Sequence, residues 1–258
     1  MIINNYRHSI KSIFRPLYHS YEIFLYKFLH NSSYLTNYKN IHRNESCLIV
    51  GNGPSLKYTP LDNVNEIKSF GMNKINLLFD QVSWRPSYIV CTNKYVAKQN
   101  FLFFNSTNIP LFINWTNRYY LNQHKHINFF LNQVGENFSE NLPECLYAGG
   151  TVTYAALQIA YYMGFKKVFL VGVDHNFDTK GPSHKVVKSK EDDSNHFHKD
   201  YFGKGVKWQL PDLEKSERFY KMAKYKFQSD KREIYDATIN GKLNVFKKID
   251  FDKIFNYV

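Results

Sequence analysis

Seven short apolar runs follow one another between residue 46 and the carboxyl end of the chain, separated by amphipathic or irregular segments. Most of them are almost continuously apolar rather than alternating, which is typical of parallel strands that helices cover on both faces. The runs are SCLIV (46–50), IKSFGM (67–72), SYIVCT (87–92), IPLFIN (109–114), INFFL (127–131), KVFLVGVD (167–174) and REIYDAT (232–238). We therefore predict an α/β fold, with a Rossmann-like, doubly wound, mostly parallel sheet of about seven strands.

Two of the intervening segments predict long helices. In TVTYAALQIAYYMGF one stripe is formed by Val152, Ala155, Ala156, Ile159 and Met163, and Gly164 stands where helices commonly end. PDLEKSERFYKMAKYKF begins at Pro211 and has its proline near the first turn, with acidic residues before basic ones. The alternation of strands with such helices indicates crossover connections.

The composition divides the chain into two parts. Residues 1–43 mix Lys, Arg and His with Phe, Leu, Ile and Tyr, and they precede the first predicted strand. We expect a basic, aromatic helical extension, which either lies in a membrane interface or packs onto the main domain or a second copy of the chain. Residues 44–258 form the predicted Rossmann-like domain. Within that domain, residues 175–210 have little periodicity and many charged and aromatic residues, which predicts an irregular lid.

The chain of 258 residues carries a formal net charge of +12, which favours a polyanionic partner such as nucleic acid, an anionic membrane or a phosphorylated ligand. Its basic residues are dispersed and no RNA-binding signature occurs, so we expect no nucleic-acid partner. The three cysteines form no CxxC pair, which argues against a zinc site or a disulfide framework.

The sequence contains no apolar stretch long enough to span a membrane, and its first residues lack the compact apolar segment that a signal peptide is expected to have. We therefore expect a cytoplasmic protein, at the inner face of the cell membrane if residues 1–43 bind lipid. The oligomeric state is open, a homo-oligomer included.

The first predicted strand runs into GNGPSLK, which predicts a ligand-binding turn, since ligands of open α/β sheets bind beyond the carboxyl ends of the strands. Gly51 and Gly53 permit unusual backbone angles and close approach, and free N–H groups at the start of a following helix attract phosphate. Asn52 and Ser55 would then lie near a nucleotide. The alternative is a tight turn with a helix cap. The motif is not a dinucleotide fingerprint, because Leu56 replaces its third glycine, and it is not a P-loop.

A second turn, YAGGTVT, precedes the best predicted helix. Gly149 and Gly150 lead into it, and Thr151 and Thr153 could cap the helix or hold a phosphate. If the preceding strand is parallel to the others, both glycine-led turns lie at the same edge of the sheet.

Polar residues follow several other predicted strands. Asp174 closes VFLVGVD, where a carboxylate commonly meets a ribose hydroxyl, an acceptor sugar or a metal. Asn73 and Asn93 each follow a strand, as Asn52 does, and amides can both donate to and accept from a base or a sugar. Each asparagine alone is more often a turn residue, but their recurrence after three strands favours a binding edge.

LIVGNGPSLK together with AGGTVTYAALQIAYYMGFKKVFLVGVDHNF resembles the bacterial sialyltransferases of glycosyltransferase family 42. It resembles at least as closely the broader 6-hydroxymethylpterin diphosphokinase-like family, whose bacterial members often belong to surface-polysaccharide or flagellin-glycosylation systems. The downstream sequences NHFHKDYFGKG, LPDLEKSERFY and IYDATINGKLNVF favour the broader family. The similarity covers residues 46–250 and leaves the amino-terminal segment outside.

This resemblance implies a nucleotide-sugar-binding catalytic domain of a GT-A-like variant fold. The implied donor is a cytidine monophosphate (CMP) sugar, and the implied acceptor is a surface glycan such as capsule or lipopolysaccharide. Carried onto this sequence, Asn52 and Ser55 would line the nucleotide. Asn73 and Asn93 would contact the ribose, phosphate or sugar of the donor. The turn at residues 151–153 would lie near the base or the carboxylate of the donor.

The resemblance also implies a catalytic histidine in the lid. The sialyltransferases place a catalytic histidine after a Ser-His-Tyr stretch, and SNHFHKD offers His196 and His198 here. A histidine can deprotonate an acceptor hydroxyl at neutral pH, and we prefer His196 for this role. After Asp174, where the relatives have phosphate-binding tyrosines, this chain has His175, and both residues are candidate donor contacts. The candidate donor contacts also include Gly51, Gly53 and Gly150.

We expect no metal and no other cofactor besides the donor, and an inverting transfer. The DFD sequence at residues 250–252 matches the Asp-x-Asp pattern of metal-binding pairs, but it lies near the carboxyl end of the chain. The acidic and histidine residues of the lid match no recognised set of metal ligands. The alternative function is a pterin diphosphokinase-like enzyme that uses Mg²⁺ and ATP, with Asp174, Asp178 and Asp192 as acidic ligands.

Overall fold

The computed structural model describes residues 17–122, 124–178 and 181–257. Helices and strands alternate along the chain as predicted, with short 3₁₀ helices in several connections. The helices are α1 (17–29), α2 (Lys94–Gln99), α3 (Phe101–Ser106), α4 (Val152–Tyr162) and α5 (Leu213–Ser229). The strands are β1 (Ser46–Val50), β2 (Lys68–Met72), β3 (Tyr88–Cys91), β4 (Leu111–Asn114), β5 (Ile127–Phe130), β6 (Asn132–Gln133), β7 (Leu146–Tyr147), β8 (Lys167–Val171), β9 (Val186–Lys188), β10 (Lys207–Gln209), β11 (Glu233–Asp236) and β12 (Lys247–Lys248).

Eight parallel strands form the central sheet in the order β12-β11-β8-β1-β2-β3-β4-β5. From β1 the chain moves outward to β5 on one side, and later from β8 to β12 on the other, which is the doubly wound arrangement. The predicted fold class is therefore confirmed.

The predicted strand over 167–174 ends at Val171, because Gly172 turns the chain with a left-handed φ of +66°.

Alternate residues of each central strand enter two separate apolar cores. On β1, Leu48 and Val50 join one core, Cys47 and Ile49 join the other, and none of the four is exposed. Both faces of the sheet are thus covered, which is why the strand sequences are continuously apolar.

Helix α4 is buried on all sides rather than along one stripe. Every residue from Thr153 to Tyr162 is buried, since the sheet, α5 and residues 40–44 surround the helix. Gly164 ends α4 with a φ of +92°, and a Cβ there would lie 3.1 Å from the Cα of Asn40. The close passage of the chain explains why the last turn carries glycine.

Helix α1 packs onto the main domain. Glu22 is 1% exposed, and its carboxylate pairs with Arg118 at 2.6 Å. The Tyr26 hydroxyl donates to the Pro143 carbonyl oxygen at 3.2 Å. Packing onto the main domain was one of the alternatives for the amino-terminal extension, of which residues 1–16 lie outside the described part. No helix among the described residues is both long and apolar enough to cross a bilayer.

The predicted lid folds back over the edge of the sheet. Strands β9 and β10 pair antiparallel within it. The Phe197 N–H donates to the Asn52 carbonyl oxygen at 3.0 Å, which ties the lid to the turn after β1. Tyr201, Phe202 and Trp208 are buried beneath the lid backbone, so the lid is a packed part of the domain.

Replacing Phe169 by Ala tests the packing of the sheet. Phe169 lies on β8 with none of its surface exposed, and its ring stacks on that of Tyr235. The cavity left by the ring should lower the free energy of unfolding by about 3–5 kcal/mol, measured by chemical denaturation. Phe255→Ala, at a residue that is 45% exposed, should cost less than about 1 kcal/mol. Equal losses in the two variants would contradict the packing described.

Candidate active site

A cleft of about 370 Å³ opens at the carboxyl ends of β1 and β8. These neighbouring strands mark the point at which the order of the sheet changes direction. Ligands of open α/β proteins bind at such switch points, because the loops that leave the two strands diverge. The cleft lies between the turn after β1, the turn before α4 and the lid.

Most of the residues predicted to bind the donor or to act as the base line this cleft. They are Gly51, Asn52, Gly53, Asn73, Asn93, Gly150, Thr151, Thr153, Asp174, His175 and His196. Ser55 and His198 do not belong to the lining. The convergence follows from the parallel sheet, since all of its strands end at the same edge.

The turn after β1 is pressed against the end of β8. A Cβ on Gly51 would lie 2.2 Å from the carbonyl oxygen of Gly172, and a Cβ on Gly53 would lie 1.8 Å from Oδ2 of Asp174. Neither Gly51 nor Gly53 has a positive φ. The two glycines therefore serve close approach between protein segments rather than the unusual backbone angles expected from the sequence.

The N–H groups of this turn are bonded within the protein. Those of Gly51 and Gly53 donate to carbonyl oxygens at the end of β8, at 2.7 and 2.8 Å. The N–H of Ser55 donates to Oδ1 of Asp174 at 3.0 Å. The following segment, Pro54–Tyr58, is a 3₁₀ helix of five residues. The prediction that free N–H groups attract phosphate at this turn is therefore wrong at these three positions, because β8 and its exit already use them.

Ser55 holds Asp174 from below the cleft. The Ser55 hydroxyl donates to Oδ2 of Asp174 at 2.8 Å, and Ser55 itself is only 6% exposed. Burial raises the pKa of the Asp174 carboxyl above its ordinary value, while the hydrogen bonds from Ser55 oppose that shift. Ser55 thus positions a cleft residue, which corrects its predicted place against the nucleotide.

Three asparagine side chains of the cleft have a buried Oδ1 atom without a hydrogen-bond partner among the described residues. They belong to Asn52, Asn73 and Asn132. Buried polar atoms are nearly always paired, so these acceptors can take hydrogen bonds from water or from a ligand that enters the cleft. Asn132 was missed by the sequence analysis, although it follows the strand β5 just as the other two follow β1 and β2.

Asn93 behaves differently from those three residues. Its Oδ1 accepts the N–H groups of Tyr95 at 2.8 Å and Val96 at 3.4 Å, and so caps α2. Asn93 borders the cleft, but its side-chain oxygen is already engaged in capping α2, whereas the sequence analysis gave a turn residue as the alternative to ligand binding.

The turn before α4 brings the amino end of a long helix to the cleft. Gly149 and Gly150 have φ angles of +59° and +79°, which glycine adopts without strain. Oγ1 of Thr151 accepts the N–H of Thr153 at 3.3 Å and the hydroxyl of Tyr220 at 3.4 Å. Because α4 has 11 residues, its aligned peptide dipoles favour an anionic group at this end.

His196 is fixed inside the cleft by a carboxylate and by aromatic rings. Its Nδ1 lies 2.7 Å from Oδ2 of Asp193, and its ring stacks on that of Tyr201 with centroids 4.1 Å apart. The rings of Phe202 and Trp208 meet it edge-on. The described residues provide no partner for Nε2, so this nitrogen is available to a ligand.

Asp193 stays ionised beside His196. Burial acts to raise the pKa of its carboxyl, but the hydrogen bond with His196 and two main-chain N–H donors of the lid outweigh burial, and the pKa lies below its ordinary value. An ionised Asp193 favours the tautomer of His196 that carries its proton on Nδ1.

His198 lies outside the cleft. Its Nδ1 accepts the N–H of Asp200 at 3.2 Å, and about a quarter of its side chain is exposed. His175 lines the cleft wall, but its Nε2 lies 3.0 Å from Oε1 of Glu217 on α5. Of the two lid histidines that the sequence offered as a base, the structure thus brings only His196 into the cleft.

A buried lysine fastens the lid over this site. Nζ of Lys74 donates to the carbonyl oxygen of Tyr201 at 2.6 Å. Burial lowers the pKa of Lys74 to about 8, an effect that the charge of Asp193 opposes. The sequence analysis missed Lys74, although it directly follows Asn73 in GMNK.

The described residues contain no group of three or more His, Cys, Asp or Glu side chains arranged to hold a metal ion. In the DFD sequence, Asp250 is exposed and pairs with Lys253 at 2.8 Å.

Comparison with known proteins identifies relatives in sequence and in fold. The family model described as 6-hydroxymethylpterin diphosphokinase MptE-like matches residues 25–180, which confirms the resemblance to that broader family. The structure is similar to that of the MAf glycosyltransferase from Magnetospirillum magneticum AMB-1, with a TM-score of 0.50 and 12% sequence identity. The similarity covers 84% of this chain and 37% of that glycosyltransferase, so this chain spans little more than a third of its length. No curated protein matches the chain.

Replacing Gly53 by Ala tests the contact between the two turns. The added Cβ would displace Asp174 from its position against Ser55. We expect the free energy of unfolding to fall by about 2 kcal/mol or more, because the site cannot accommodate the methyl group without moving backbone. Gly203→Ala is the control, since its added Cβ would lie 3.2 Å from the nearest atom and should cost less than about 1 kcal/mol. Wild-type stability of Gly53→Ala would show that the turns are not in contact.

Proposed function

The chain belongs to the family of 6-hydroxymethylpterin diphosphokinase MptE-like proteins, and we propose that it is a glycosyltransferase of the sialyltransferase-like type. It would transfer a sugar from a nucleotide-monophosphate donor, a CMP-sugar, to a surface-glycan acceptor. The likeness in fold to a glycosyltransferase and the cleft at the switch point of the sheet support this proposal.

The pairing of His196 with Asp193 carries the proposal. Asp193 holds Nδ1 of the ring, which leaves Nε2 free to accept the proton of an acceptor hydroxyl. A buried carboxylate that orients an imidazole and stabilises its protonated form is the arrangement of a general base. The aromatic rings around His196 restrict its orientation and exclude water from its faces.

In the proposed reaction, the acceptor oxygen attacks the anomeric carbon of the donor while Nε2 of His196 takes the hydroxyl proton. The bond between the anomeric carbon and the phosphate oxygen breaks, and CMP leaves with the electron pair. Because attack and departure occur on opposite faces, the configuration inverts. The amino end of α4, with Thr151 and Thr153, stabilises the anionic phosphate or carboxylate of the donor.

The unpaired asparagine oxygens supply donor recognition. Oδ1 of Asn52, Asn73 and Asn132 can each accept a hydrogen bond from a hydroxyl or an amino group. A nucleotide sugar presents both kinds of group on its base, ribose and transferred sugar. Binding would therefore satisfy acceptors that the folded protein leaves unpaired.

The proposed transfer requires no metal. A monophosphate leaving group develops less negative charge than a diphosphate, so helix N–H groups and neutral polar side chains can stabilise it.

The description of the family suggests a second candidate, a diphosphokinase that uses Mg²⁺ and ATP. Its acidic ligands would be Asp174, Asp178 and Asp192. Asp192 is exposed and Asp174 is engaged by Ser55, and these residues form no metal-ligand group. The likeness in fold to a glycosyltransferase favours the first candidate, and metal-dependent formation of AMP from ATP would favour the kinase instead.

Alanine substitution of the lid histidines tests the assignment of the base. His196→Ala should lower the rate of sugar transfer by roughly 100-fold or more, because the proton of the acceptor hydroxyl loses its carrier. His198→Ala is the matched control and should retain the wild-type rate, since His198 lies outside the cleft. A wild-type rate in His196→Ala would exclude it as the base.

Thermal-shift measurements with CMP, CDP, UDP, GDP and ATP test the nature of the donor. We expect CMP to stabilise the protein most, and a nucleotide at about 100 times its dissociation constant adds roughly 2.7 kcal/mol to the free energy of unfolding. The shift with CMP and the transferase activity should both persist in EDTA. A shift with ATP that requires Mg²⁺ would contradict the proposed donor.

A further inference from the structure

Helix α1 has an exposed apolar face opposite its packed face. Leu17, Tyr21, Phe24 and Phe28 recur at spacings of four, three and four residues, which places them on one stripe. They are 65%, 55%, 51% and 72% exposed, and the rings of Phe24 and Phe28 touch with centroids 4.5 Å apart. A continuous exposed stripe of large apolar side chains indicates a surface that meets another apolar phase.

The packed face of α1 holds this stripe in place. The buried pair of Glu22 and Arg118 and the hydrogen bond of Tyr26 fix the helix to the main domain. Breaking a buried ion pair is strongly unfavourable, so the helix is not free to roll its apolar stripe inward. The domain thus presents the stripe outward.

Basic residues accompany the stripe in the sequence, and two of them lie on or beside α1. Residues 1–45 contain six Lys or Arg and two Glu, and one of these, Glu22, is neutralised by Arg118. Lys27 is exposed on α1 itself, between the two phenylalanines of the stripe. His124 and Lys125 line a groove beside the end of α1. A second copy of the chain would bring the same positive charges together, which disfavours self-association through this face.

We propose that α1 is the docking surface for an anionic membrane. The stripe inserts into the boundary between headgroups and acyl chains, and Lys27 and Lys125 contact lipid phosphates. Aromatic and aliphatic side chains with flanking basic residues are the composition of helices that lie in a bilayer interface. The docking surface is separate from the cleft, so the proposal does not depend on the reaction that the cleft catalyses.

Vesicle co-sedimentation of the full chain tests the proposal. We expect binding to vesicles of equal parts phosphatidylcholine and phosphatidylglycerol, weaker binding as salt is raised, and little binding to phosphatidylcholine alone. The double variant Phe24→Glu, Phe28→Glu should bind the anionic vesicles at least about tenfold more weakly. Tyr225→Glu is the matched control, since Tyr225 is a 74% exposed aromatic residue of α5, and it should bind as the wild type does.

Circular dichroism of each variant and its thermal shift with CMP separate docking from folding and from the cleft. A double variant that keeps the circular dichroism spectrum and the nucleotide response of the wild type, whatever that response is, but loses vesicle binding supports the proposal. Unchanged vesicle binding by the double variant, or no vesicle binding by the wild type, overturns it. A wild-type dimer that becomes a monomer in the double variant would also overturn it, because a second copy would then cover the stripe.

Discussion

The contact between the ends of β1 and β8 is the constraint on which the rest of the site depends. The strands pair in parallel from Ser46 with Lys167 to Val50 with Val171, and the hydrogen bonds continue into the turns beyond. The turns can approach this closely only because Gly51 and Gly53 carry no side chain. The glycine turn after β1, which the sequence suggested as a phosphate site, therefore connects β1 to the end of β8 through hydrogen bonds. It also holds the Asp174 carboxylate at the floor of the cleft.

The lid supplies what the sheet edge lacks. The sheet edge and α4 contribute amides, hydroxyls, a helix amino end and two ionisable residues, Asp174 and His175, whose side chains are already engaged by Ser55 and Glu217. The lid brings an imidazole whose orientation depends on three separate contacts: the carboxylate of Asp193, the ring of Tyr201 and the hydrogen bond between Phe197 and Asn52. Lys74 adds a fourth contact beneath the lid. A general base on one wall and an anion-stabilising helix end on the other are complementary requirements of sugar transfer.

The strands could be predicted because burial on both faces requires continuously apolar strand sequences. The neighbouring residues Leu48 and Ile49, for example, enter opposite cores. Edge strand β12 was missed, because its two lysines are exposed and only pairing with β11 defines it. The stripe predicted for α4 was incomplete, since the rule of one buried face assumes that water covers the other. Asn132 followed the same pattern as Asn52 and Asn73 but escaped notice, because β6 begins directly at this residue and the chain does not turn there.

By itself, the sequence determined the class of the fold, the places of the glycine turns and the set of polar residues that end on one sheet edge. These features depend on local periodicity and on the shared direction of parallel strands. Only the tertiary structure decided which of those polar groups remain available to a ligand. Ser55 and Asp174 satisfy each other although they are 119 residues apart, and Asp193 with its aromatic neighbours brings His196 rather than His198 into the cleft. A hydrogen-bonding group is free or engaged according to partners that meet it only in the folded chain, so no local pattern can reveal its state.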